Sequence, residues 1–205
     1  MVVGVSAWLI GSGRDPDEAT AAPTPTVLDD TTSTSASASA SASAPPRRTC
    51  ATAERNFEPQ AISVPGVTKR ASVVTPPRDD AGVPGTPPLT RRGKMLFAWD
   101  REQGILPGDP AGNVLLNAHT WPDGTALGNR LLAGLQLGDR IVVRGADARL
   151  CYRVTERVEV LADENMPRYY DTAGPPQLAI LVCSGRRLGP GQWEKRTVWF
   201  ASPSV

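Results

Sequence analysis

The chain has 205 residues, with 22 Lys and Arg against 21 Asp and Glu, for a formal net charge of +1. That balance excludes nucleic acid as the main partner, because a phosphate-binding face needs a local basic excess. Three cysteines and a single histidine, with no Cys-x-x-Cys pair, do not make an ordinary zinc site, so no metal and no cofactor are expected.

Residues 1–13 open with the apolar run MVVGVSAWLI. At about ten residues it is shorter than the ~20 needed to span a bilayer, and no basic region precedes it. It reads either as an irregular apolar terminus or as the second half of a signal anchor, and the segment that follows favours the anchor. Residues 14–56 are nearly all Ala, Ser, Thr, Pro and Asp, with strict alternation from Ser35 to Ala44. Such a stretch buries too little apolar surface to offset the entropy of ordering it, and is expected to be a disordered linker. The folded domain is then 57–205, on the outer face of a cell membrane and tethered to it by the N-terminal segment.

From Pro59 onward the periodicity is that of strands. Ile62, Val64 and Val67 alternate around Pro65-Gly66, and Ala71 to Val74 stops at Pro76-Pro77. Val114 to His119 is an apolar run closed by the turn Trp121-Pro122-Asp123-Gly124. Leu131, Leu132 and Leu135 predict one short helix over 127–137, and 163–169 predicts a further helical turn. Arg140–Arg144, Leu150–Val154, Gln177–Val182 and Thr197–Ala201 complete the strands. Many short strands with Gly and Pro turns predict a mainly β fold, a closed barrel or a sandwich.

His119, the sole histidine, ends one apolar strand, and Cys183 ends another, Leu178–Val182. Arg196 begins the last strand, so a hairpin would bring Cys183 and Arg196 to the same end of the sheet. A neighbouring cation favours the thiolate nucleophile. An imidazole can then protonate a leaving amine and deprotonate an incoming one, while a guanidinium suits an oxyanion. The opposing reading is that Cys183 is a small buried hydrophobe. Cys151, inside a strand between Leu150 and Tyr152, reads as packing. A Cys50–Cys151 disulfide fits an oxidising compartment, but an odd number of cysteines leaves the connectivity open.

Taken together these segments resemble a sortase. Asn117-Ala118-His119-Thr120 is similar to that family's His motif, and Leu135-Gln136-Leu137-Gly138-Asp139 to its entry into the next strand. Leu181-Val182-Cys183 resembles the cysteine motif, Trp193-Glu194-Lys195-Arg196 the arginine segment, and Ile62 to Val67 the opening strand. The order is kept over residues 59–203, and with its stalk the chain looks most like the actinobacterial class E or F members.

The resemblance implies an eight-stranded β-barrel with one or two short helices and a catalytic trio of His119, Cys183 and Arg196. It also implies a cysteine transpeptidase that cleaves an LPxTG-like sorting signal through a thioacyl-enzyme. The acyl group would pass to an amine of a peptidoglycan precursor or a pilin. Two departures stand out. Val182 replaces the usual Thr before the cysteine, which predicts altered substrate handling, and Asn117-Ala118 replaces the usual Gly before the histidine. The competing classes are a non-catalytic secreted β-barrel binding module and another cell-wall cysteine peptidase. For the latter, either the His-Gly-Cys neighbourhood is missing or the order of Cys and His is reversed.

Overall fold

The computed structural model describes Cys50 and residues 55–204. The apolar segment 1–13, and all of the linker 14–56 except Cys50, Arg55 and Asn56, lie outside the described residues. The strands are β1 (Ala61–Val64), β2 (Thr68–Val74), β3 (Phe97–Trp99), β4 (Asn113–Ala118), β5 (Arg140–Arg144), β6 (Arg149–Leu161), β7 (Gln177–Gly189) and β8 (Gln192–Ser204). They close into a barrel in the order β1-β2-β3-β4-β7-β8-β6-β5. The expected mainly β fold and eight-stranded barrel are therefore present, with one helix, α1 (Leu127–Gly134).

Alternation along the strands sorts side chains between the barrel interior and its outside. Inside are Ile62, Phe97, Trp99, Leu116, Ile141, Tyr152, Leu178, Ile180 and Trp199, all buried in one cluster. Leu127 and Leu131 of α1 and its C-cap Leu135 join it at i, i+4 spacing, the stripe that drives an amphipathic helix onto a core. The indole N–H of Trp199 donates to the Leu135 carbonyl at 3.2 Å, so this buried polar group is satisfied where helix and barrel meet.

A second, smaller cluster lies on the opposite face of β4, β7 and β8. It holds Leu115, Ala179, Val198 and Phe200, with Tyr169 from the β6–β7 connection packed over them. This explains why β4 is buried at all six positions. β4 pairs in parallel with β7 and is covered on both faces, which produces a continuous apolar run instead of alternation.

Four details differ from the sequence reading. β3 was not foreseen, since three residues, Phe-Ala-Trp, are too few to show a period. The helix stops at Gly134, so Leu135 caps it and Leu137 is exposed. The turn foreseen over 163–169 is a 3-10 turn at Pro167–Tyr170. Finally, Cys151 is not a packing residue: it faces away from the interior cluster and is bonded to Cys50, with a Cα–Cα distance of 5.5 Å. Its partner is 101 residues away in sequence, beyond any local signal.

Candidate active site

β4 and β7 stay in register from Asn113↔Gln177 to Ala118↔Val182. The next residues on the two chains are His119 and Cys183, and the ~4.8 Å spacing of neighbouring strands sets them side by side. On the other side of β7, Cys183 is the registered partner of Arg196 on β8. Three residues far apart in sequence thus meet at one place. Parity puts them on the outer face: Leu181 and Cys183 share a side of β7, as do Arg196 and Val198 of β8.

Cys183 is not the last residue of its strand. β7 runs on to Gly189 and β8 starts at Gln192, so the two extend past the barrel as a ribbon. Beyond Ser184 the ribbon is largely exposed, so the apolar pattern ends there although the pairing does not. The register shifts just after Ser184, at Gly185 with φ +74°, a left-handed conformation natural to glycine at a bulge. The nucleophile candidate therefore sits where the buried sheet gives way to the exposed ribbon.

A cavity of about 370 Å³ opens over this point. His119, Cys183 and Arg196 line it, with Asn117, Leu181 and Val198 as its floor. One wall is the β6–β7 connection, through Met166, Tyr169 and Tyr170; another is the β2–β3 connection, through Val83, Pro84 and Thr86. Tyr169 is fixed by a hydrogen bond from its hydroxyl to the Leu116 carbonyl at 3.3 Å, and burial pushes its phenol far above the ordinary value.

The backbone around His119 is held on several sides. The Thr120 hydroxyl donates to the Cys183 carbonyl at 2.6 Å, tying the two catalytic candidates together. The Gly128 N–H donates to the His119 carbonyl at 2.8 Å. A Cβ at Gly128 would lie 2.6 Å from that oxygen, so only glycine lets α1 approach so closely. The Asn129 side chain accepts from the Trp121 N–H and donates to the Trp121 carbonyl, closing the turn after His119. The imidazole Nε2 meets the Pro87 carbonyl at 2.5 Å. A carbonyl can only accept, so this nitrogen carries a hydrogen.

Arg196 uses one of its three nitrogens on backbone: Nη1 donates to the carbonyls of Lys195 at 3.1 Å and Trp193 at 3.4 Å. Burial pushes the Cys183 thiol above its ordinary value, and the positive charge of Arg196 pulls it back only in part. The expected pull of the neighbouring cation toward the thiolate is present, and burial opposes it.

Val182 does not line the cavity. It has the opposite parity to Cys183, is 1 % exposed, and belongs to the interior cluster rather than the cavity. A hydroxyl at that position would face the barrel core. Asn117, a departure from the family pattern and not an expected site residue, lines the cavity.

No family model matches the chain, and no curated protein matches it in sequence. Solved structures do. Streptococcus agalactiae sortase C1, in a complex with MTSET, superposes with a TM-score of 0.52 at 13% identity, covering 71% of this chain and 68% of that one. Listeria monocytogenes sortase A gives 0.51 at 19% identity, covering 71% and 86%. The chain has the sortase fold. Sortase C1 from Streptococcus suis agrees, at 0.52 and 14% identity over 73% and 74%. Among the described residues no helix is long and apolar enough to cross a membrane, and no His, Cys, Asp and Glu group could hold a metal ion.

Proposed function

We propose that the chain is a cysteine transpeptidase acting on LPxTG-like sorting signals. One observation carries this reading: on a sortase fold, strand register alone sets the free cysteine, the sole histidine and an arginine around one cavity. Cys183 Sγ attacks the carbonyl of the scissile Thr–Gly bond, forming C–S as C–N breaks. His119 takes the proton of the attacking thiol and delivers it to the departing amine. An incoming amine, from a peptidoglycan precursor or a pilin lysine, attacks the thioester and gives a proton to His119, which returns it to the sulfur as the C–S bond breaks. Arg196 holds the oxyanion formed in each half.

The disulfide supports a site of action outside the reducing cytosol, as the linker composition does. Anchoring on the outer face of the membrane through residues 1–13 belongs to the same proposal. The test is thioester capture, by mass spectrometry of intact protein, with a library of LPxTG-like peptides. With Cys50 and Cys151 joined, Cys183 is the one free thiol of the three cysteines. The adduct should therefore map to Cys183, and a folded protein whose thiol resists both peptide and methanethiosulfonate is a binding module instead.

A further inference from the structure

The floor of the cavity contains one residue that packing does not explain. Asn117 lies between apolar neighbours, with Leu115 on its own strand face, Leu181 as its registered partner on β7, and Val198 beyond. It is 7 % exposed. Its Nδ2 donates to the Gly85 carbonyl at 2.8 Å, while its Oδ1 is buried without any partner, the sole such side-chain atom among the described residues. Leaving a buried acceptor unpaired costs about 1–3 kcal/mol.

Asn113, on the same face of β4 and four residues earlier, shows what a structural asparagine looks like here. Its Nδ2 bonds both the Arg168 and Tyr169 carbonyls, pinning the β6–β7 connection to the barrel. It does not line the cavity. Asn117 secures nothing comparable with its oxygen, and it lines the cavity two residues before His119. In a strand, two residues advance ~6.6 Å along one face, which is also two residues of an extended peptide.

What Asn117 already holds is informative. The carbonyls of Gly85 and Pro87, two residues apart, accept from Asn117 and from His119. These two side chains thus already bind backbone carbonyls two residues apart in a proline-containing stretch. A carboxamide has a donor and an acceptor, matching the N–H and C=O of a peptide. Only the acceptor half is idle.

We infer that Asn117 is a specificity-determining residue whose Oδ1 accepts a backbone N–H of the bound peptide, about two residues from the scissile carbonyl. This rests on the transpeptidase reading and adds to it a backbone contact that does not depend on peptide side chains. An Asn in an apolar floor therefore selects an extended peptide carrying a free N–H at one position.

The experiment is an ester scan. In a Leu-Pro-Ala-Thr-Gly peptide extended at both ends, each backbone N–H is replaced in turn by an ester oxygen. Thioester formation and kcat/KM are then measured for the wild-type chain and for Asn117→Leu. One ester should cost the wild type about tenfold, the effect of a single hydrogen bond, mainly through KM. The same ester should cost Asn117→Leu nothing further; thermal melting of the variant checks that it folds, since it loses the Gly85 hydrogen bond along with the unpaired acceptor. Identical scan profiles in the two proteins overturn the inference while leaving the enzyme reading intact. Failure of the wild type to form any thioester with the unmodified peptide removes the reading and the inference together.

Discussion

The two faces of β4, β7 and β8 make an instructive pair. The inner face packs Leu116, Ile180, Val182 and Trp199 into the barrel, and its buried polar groups are paired: Trp199 with Leu135, and the Thr197 hydroxyl with that of Ser184 at 2.8 Å. The outer face, one residue out of phase, is also apolar, yet it carries Cys183, Arg196 and Asn117, and its polar groups are incompletely paired. Burial alone therefore does not separate stability from function in this chain. Completeness of hydrogen bonding does.

The contrast can be broken from either side. The largest effect is expected from Cys183→Ala, which should lower peptide cleavage by on the order of 10⁴-fold or more, with a urea midpoint close to wild type. A stability loss as great as that of a core variant would return Cys183 to the role of a packing residue. On the inner face, Trp199→Ala should cost about 3–5 kcal/mol in urea unfolding, through a large cavity and an unpaired Leu135 carbonyl. Next comes Cys50→Ser/Cys151→Ser, which frees a 101-residue separation and should cost about 2–4 kcal/mol. Turnover by the remaining folded molecules should be unaffected, because this disulfide lies on β6 and away from the cavity.

The smallest effect concerns acidity. Because burial raises the Cys183 thiol and the thiolate is the reactive form, its alkylation rate should keep climbing past pH 8.5, the ordinary thiol value. Removing the charge that opposes this shift, in Arg196→Ala, should move the midpoint higher still. A midpoint that stays put or falls would show that the guanidinium is not close enough to act on the sulfur.

Much of this was legible in the chain. His119 could be named because no other histidine competes with it, and most barrel strands because their interior residues are apolar and regularly spaced. The pairing of Cys183 with Arg196 follows from a short hairpin, a local feature. The parallel pairing of β4 with β7 is not local, and nothing in either segment announces it. The same holds for the disulfide. The outer half of β6, Glu156 to Leu161, alternates exposed with half-exposed residues and gives no apolar signal, although it pairs with β8 throughout. Val182 and Asn117 were both visible as departures from the sortase pattern. Only the direction of their side chains, one into the core and one into the cavity, shows which of them matters to the site.

The six registered pairs between β4 and β7 have one more consequence. A strand has a reading frame of two, and a slip by one residue turns every side chain to the other face. A slip of β7 against its neighbours would send the Cys183 sulfur into the barrel and present Val182 to the groove. Insertions in the loops between Thr120 and Gly174, outside α1, β5 and β6, leave that frame untouched. A one-residue deletion between Leu178 and Val182 shifts it, and turns the sulfur away from the cavity in a chain of nearly the same composition.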